Sequence, residues 1–206
     1  MVKNTNFEVT DPRSLPRPLL REWSQVCTDY RTRVDGDLPW HYKERAQIGF
    51  LAAAAWRLKG AALEEWHTEK LSEGKSRKGR GDLWVQVSGG AWHIEAKLVL
   101  VWLRPSPNSG VKRVGATLRK ACRDASEMKR YKGERRVGVV FAVPRVARKH
   151  ASDCERLVKR WREGLRGLKP IGAMWHGDKA QSTRAGKAEI WPGILLLVSN
   201  ASSKAG

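Results

Sequence analysis

An acid at Asp82 stands upstream of a tight Glu95-Ala96-Lys97 triplet, and the segment joining them alternates polar and apolar residues. Two carboxylates and an ammonium gathered at one point suit the hydrolysis of a phosphodiester. A hard divalent cation, Mg²⁺ or Mn²⁺, takes carboxylate and carbonyl oxygens, so Asp82, Glu95 and the Ala96 carbonyl form a candidate metal shell. Lys97 is then placed to orient an attacking water or to stabilise charge growing on the phosphate.

The elements that must position these groups follow from the alternation. If Gly89-Gly90 is a two-residue hairpin turn, Ser88 pairs with Ala91 and Asp82 faces Lys97. One face then carries Leu83, Val85, Val87, Trp92, Ile94, Ala96, Leu98 and Leu100, all apolar, and is predicted to be core. The other carries Asp82, Trp84, Gln86, His93, Glu95 and Lys97, because cross-strand partners share a face. Two other Glu-x-Lys copies exist, Glu73-Gly74-Lys75 in a Gly-rich stretch and Glu127-Met128-Lys129 in a helical pattern. On a helix, i and i+2 diverge by about 200°, so only the copy on a strand can focus both side chains.

Lys43 to Leu58 reads as a helix, with Ile48, Leu51, Ala52 and Ala55 at helical spacing and Gly60 beyond its end. Glu44 shares that stripe and is a third candidate acid, with Glu64 and Glu65 as rivals. Ala61 to Thr68 is read as a strand and Lys70 to Gly81 as a polar loop whose Lys75, Arg77, Lys78 and Arg80 could grip phosphates beside the acids. A helix over Val111 to Tyr131 turns Arg113, Arg119 and Lys120 outward. Trp84 and His93, on the polar face, add a ring for base stacking and a further polar contact. Trp56, Trp92 and Trp161 are assigned to the interior. Val137 to Val143 is a continuous apolar run and predicts a central strand. A last helix begins at Ser152, where Ser152 and Glu155 can form a capping box, and strands follow near Ile171 to His176 and Ile190 to Val198. Residues 1–38 read as a Pro-interrupted arm with a short helix near Leu20 to Tyr30, 39–200 as one α/β domain and 201–206 as a polar tail.

Composition narrows the partners. In 206 residues, 40 Lys and Arg against 21 Asp and Glu leave a formal charge of +19, a single-sign field that favours nucleic acid. Charge alone leaves DNA and RNA both open as the partner. Three scattered cysteines, Cys27, Cys122 and Cys154, argue against a disulfide scaffold or a zinc site. No apolar run approaches the ~20 residues that span a bilayer, so a cytoplasmic protein without membrane association is expected.

At Asp82 and Glu95-Ala96-Lys97 the chain resembles the PD-(D/E)xK nuclease superfamily. The resemblance covers Glu44 to Val143 and implies a restriction-endonuclease-like αβββαβ core, an acid on the first helix at Glu44, and Mg²⁺- or Mn²⁺-dependent cleavage of DNA. Such folds often work as homodimers. Gly81 stands where the family's eponymous proline would be, and Glu127-x-x-x-Tyr131 occupies the place of a Gln-x-x-x-Tyr motif found in some members. Two other readings of the same residues stay open: a non-catalytic basic DNA- or RNA-binding accessory protein on the same fold, and a solvated strand face whose charges form weak cross-strand pairs.

Overall fold

The computed structural model of the protein describes residues 8–9, 11, 13–35, 37–72, 75–106, 110–177 and 189–201. Glu73 and Gly74 of the first Glu-x-Lys copy, and 202–206 of the polar tail, lie outside them.

Alternating burial along the strands builds an open mixed sheet with helices on both faces. The strands are β1 (Glu8–Val9), β2 (Ala61–Ser72), β3 (Lys75–Val87), β4 (Gly90–Leu103), β5 (Glu134–Ala147), β6 (Gly172–Gly177), β7 (Glu189–Ile190) and β8 (Gly193–Asn200). They lie in the order β1-β6-β8-β5-β4-β3-β2, with β7 paired to β5 off that path. Among the described residues only β4 and β5 run parallel, joined by a crossover through helix α3 (Val111–Glu127). The central position expected for Val137 to Val143 is that of β5, flanked by β4 and β8. Its odd-numbered side chains Val137, Val139, Phe141 and Val143 enter one core, and Val140, Ala142 and Val146 enter the other. A strand buried on both faces has no polar alternation, which is why its sequence is a single apolar run.

Helices α1 (Arg17–Arg33) and α2 (Glu44–Arg57) cover the first face, while α3 and α4 (Cys154–Leu165) cover the second. From α2 onward the order α2-β2-β3-β4-α3-β5 reads α, β, β, β, α, β. The helix expected near Leu20 to Tyr30 is longer, and it buries Leu19, Leu20, Trp23, Val26 and Cys27 in the core it shares with α2. No helix among the described residues is long and apolar enough to cross a membrane.

Four local expectations are corrected. Lys70 to Gly81 is not a loop: β2 and β3 continue as a two-stranded arm with Ser72 paired to Lys75. Most of that arm's outer positions are exposed, so the sequence lacks the apolar alternation that marks a half-buried strand. Gly81 serves close cross-strand approach, since a Cβ there would lie 2.5 Å from Trp66 Nε1. The hairpin turns at Ser88-Gly89, with Gly89 at φ 104° and Val87 paired to Gly90, so Leu83 pairs with Ile94 rather than Ala96. The register differs from the expected one by two residues, which preserves the faces. Leu83, Val85, Val87, Trp92, Ile94 and Ala96 are indeed buried together. Helix α4 starts after a 3-10 turn, Arg148–Asp153, without a side-chain cap; Asp153 pairs with Arg156 instead of Ser152 capping the helix. Trp56 is 58% exposed, because the buried stripe of α2 runs through Gln47, Ile48, Leu51, Ala52, Ala54 and Ala55 and leaves it outward.

Candidate active site

The site lies where β3 parts from β4. Pairing between them ends at Leu83 and Ile94, while β4 continues against β5 to Leu103 and β3 runs back into the arm. Beyond the fork, one edge of β4 has amides with no strand partner. Asp82, at the fork itself, accepts the Ala96 N–H at 2.8 Å through Oδ2. Glu44, at the start of α2, accepts the Leu98 N–H at 2.7 Å through Oε2. Unpaired buried amides are costly, so each carboxylate is anchored by the edge it satisfies. Of the three rival acids, Glu44 is the one at the fork: Glu64 is exposed and Glu65 pairs with Arg80.

The arm closes over the same face. Glu65 has φ 50° and the ladder skips the Glu65 and Asp82 step, a kink that changes which side the following residues face. Ala62, before the kink, packs in the core with α2, whereas Trp66 beyond it lies 4.8 Å from the His93 ring and Lys70 reaches Glu95. The arm is pinned to the end of α3 by the Lys129 N–H bond to the Glu69 carbonyl at 2.8 Å and by Arg77 against Glu127 at 3.3 Å.

Lys97 is the hub. Its Nζ donates to the Ala96 carbonyl at 2.8 Å and lies 3.6 Å from Asp82, 3.8 Å from Glu95 and 3.5 Å from Asp124. Asp82, Glu95 and Lys97, singled out in the sequence, thus have their side-chain ends within 4 Å of one ammonium. Burial works against the charge on Lys97, but Asp82, Glu95, Glu44 and Asp124 outweigh it and hold its pKa above the ordinary value. Lys97 is therefore a fixed cation and not a proton acceptor at neutral pH.

Glu95 is 3% exposed, and Lys70 Nζ sits 2.6 Å from its Oε1. Burial, then repulsion from Asp82, pushes its pKa up to about 7, although Lys70 and Lys97 pull the other way. Burial likewise raises Glu44, with Asp82 adding to it, against the Leu98 amide, Lys97 and Lys120. Four carboxylates thus surround one ammonium, with Lys70 on Glu95 alone and Lys120 acting on Glu44 from a distance. With all four carboxylates ionised, the two ammonium groups in direct contact would leave two negative charges over, and the raised Glu95 and Glu44 are the response to burial and to that excess. Among the described residues no three His, Cys, Asp or Glu side chains form a ready metal cage. The donor set is nonetheless hard anionic oxygen, with Glu95 buried and Asp82, Glu44 and Asp124 partly exposed, a type that suits Mg²⁺ or Mn²⁺.

The structure adds two residues that the sequence reading missed. Asp124 is one of two acids on a mainly cationic helix, one turn from buried Ala121 and from Met128, and that offset could have flagged it. Lys70 lies in a segment whose polar, basic sequence carries no strand periodicity. The candidate nucleic-acid contacts divide. Lys75, Arg77, Lys78 and Arg80 are exposed on the arm, or nearly so, with Arg77 and Arg80 held by Glu127 and Glu65. Arg113, Arg119 and Lys120 are exposed on α3, and of these Lys120 acts on Glu44 while Arg119 lies with Leu168, Ser199 and Asn200, away from the acids. Trp84 is half-buried beside Leu63 and His93. His93 is corrected: at 1% exposure it is stacked on Tyr131, 5.3 Å away, and hydrogen-bonded to Glu134, with no surface to offer a polymer. Burial lowers its pKa, which Glu134 partly offsets. The chain matches no protein-family model, no curated protein and no solved structure.

Proposed function

We propose that the protein is a metal-dependent endonuclease acting on DNA, with a restriction-endonuclease-like core formed by α2 through β5. The observation that carries this reading is the meeting of Asp82, Glu95 and Asp124 within 4 Å of Lys97 Nζ at a strand fork. Asp82, Glu95 and the Ala96 carbonyl are the groups that would hold Mg²⁺ or Mn²⁺, with Glu44 beside them. When bound, such an ion polarises a phosphoryl oxygen and makes a coordinated water acidic. The protein's own part is positional and electrostatic. The Ala96 and Leu98 amides fix the Asp82 and Glu44 carboxylates before any substrate arrives. Lys97, kept protonated by its acidic neighbours, offers a donor to an attacking water or a phosphate oxygen carrying developing charge. The exposed cations of the arm and α3 draw in the backbone.

The test uses variants that preserve the fold. Asp82→Asn keeps an oxygen to accept the Ala96 amide but loses the charge, and Lys97→Met removes the ammonium while keeping the stem. Both should abolish Mg²⁺-dependent nicking of plasmid DNA and leave DNA affinity within a few-fold of wild type. Nicking that survives both changes would refute the assignment.

A second reading, a non-catalytic basic binding protein, is favoured by one observation: Lys70 is already paired with Glu95 at 2.6 Å, so the buried charges partly compensate one another without a metal. That reading expects salt-sensitive binding with no turnover on single-stranded, double-stranded or branched DNA or on RNA.

A further inference from the structure

Some 540 Å³ of open cleft lies at the end of the sheet where β5 begins and β8 finishes, and its walls carry Arg13, Arg130, Arg135 and Arg136. Arg13 is neutralised by Asp11 at 2.6 Å. The other three guanidiniums meet no carboxylate among the described residues. The one acid in the wall, Glu134, is engaged by the His93 ring.

Two of these arginines are held in place by the fold. Arg136 donates to the Ser126 carbonyl at 2.7 Å and to the Met128 carbonyl at 2.6 Å, both at the end of α3. A guanidinium has five N–H donors, so three of its own remain. Arg135 donates to the Gly89 carbonyl at 2.9 Å and lies 5.0 Å over the Trp92 ring. Burial and the neighbouring Arg130 both oppose the charge on Arg136, a repulsion that an anion between them would relieve. Planar guanidiniums suit phosphate oxygens in pairs, and a fixed one loses little entropy on binding.

The cleft also has a defined relation to the candidate site. Arg136 pairs with His93, and Gly138, two residues on, pairs with Glu95, so the two positions are roughly 7 Å apart along the strand. We propose that the cleft is a phosphate subsite that holds the nucleic-acid backbone beside the acidic centre, with Arg130, Arg135 and Arg136 as its donors. The choice of a nucleic-acid phosphate rests on the nuclease reading, whereas the anion site itself does not.

The test is done without divalent metal, so that its outcome is independent of cleavage. Inorganic phosphate is titrated at constant ionic strength into wild type, Arg130→Ala and Lys149→Ala while the ³¹P line width is followed. The same three proteins are then titrated against a short labelled DNA duplex. Arg130 and Lys149 are both exposed, so neither change threatens the fold, and Lys149 lies in the turn before α4, away from the cleft. Saturable phosphate binding is expected in wild type and Lys149→Ala and not in Arg130→Ala. DNA affinity should fall about tenfold in Arg130→Ala, the loss of one charge-assisted contact, and far less in Lys149→Ala. Phosphate should also compete with DNA. Equal line broadening in all three proteins would overturn the subsite. Saturable phosphate binding with unchanged DNA affinity in Arg130→Ala would assign the cleft to a small phosphorylated molecule and overturn its role on the strand. A protein that binds DNA through Arg130 yet never cleaves would sink the hydrolytic reading alone.

Discussion

A buried carboxyl that ionises near neutrality ties the stability of a fold to pH, and Glu95 is such a group. Its pKa rises from the ordinary 4.5 to about 7 in the folded protein. Between these values the folded chain keeps a proton that the unfolded chain has released. Stability must therefore fall as pH rises through this window, the opposite of the usual salt-bridged carboxylate. At 1.36 kcal/mol per unit the full effect is about 3 kcal/mol. Glu95→Gln has nearly the same shape, can still accept from Lys70, and cannot ionise. Urea denaturation of both proteins at fixed salt, from pH 4.5 to 8, isolates the residue from the other titrating groups. The wild type should lose up to about 3 kcal/mol relative to Glu95→Gln across that range. Mg²⁺ adds a second reading, because a cation needs the ionised form. It should stabilise the wild type above pH 7, more weakly below it, and leave Glu95→Gln unaffected. Parallel stability curves for the two proteins would show that Glu95 is not held neutral by its surroundings, and the case for an under-compensated acidic centre would go with it.

Other perturbations probe the scaffold around that centre. Glu44→Ala leaves the Leu98 N–H without its acceptor and should cost about 1 to 3 kcal/mol in a urea melt, whereas Glu44→Gln should recover most of that loss without restoring nicking. Gly138→Ala places a Cβ 2.5 Å from the Cys122 amide nitrogen and should destabilise by about 1 to 3 kcal/mol as α3 is forced off β5, measured in the same way. Lys75→Ala with Lys78→Ala on the arm should reduce the slope of log affinity against log salt for DNA by about 2, while an unchanged slope would show that the arm does not touch phosphates.

What could be read from the chain depended on how much of each element is buried. The run Val137 to Val143 and the alternation from Leu83 to Leu100 announce strands because packing decides their residue types. The hairpin register differs by two residues from the expected one, since two adjacent glycines allow more than one turn, yet the faces are the same because side-chain direction depends only on parity. The arm from Lys70 to Gly81 is illegible for the converse reason: its outward positions pack against little, so no periodicity records its strands.

The same logic separates the acids that were found from the one that was missed. Asp82 and Glu95 stand in a patterned hairpin, where two polar side chains on one face are conspicuous. Asp124 comes from the far side of a crossover, and only the parallel pairing of β4 with β5 lays α3 across the sheet at Lys97. The kink at Glu65 is equally non-local in effect, because it decides whether Lys70 faces solvent or Glu95. The site is thus written in two ways. Its residue types sit in one short segment, but the strand fork that leaves the Ala96 and Leu98 amides for Asp82 and Glu44 to accept exists only once the arm has turned away from β4. A change that straightened the arm and extended pairing of β3 along β4 would satisfy those amides with backbone carbonyls, release both carboxylates, and dissolve the centre without altering any of its side chains.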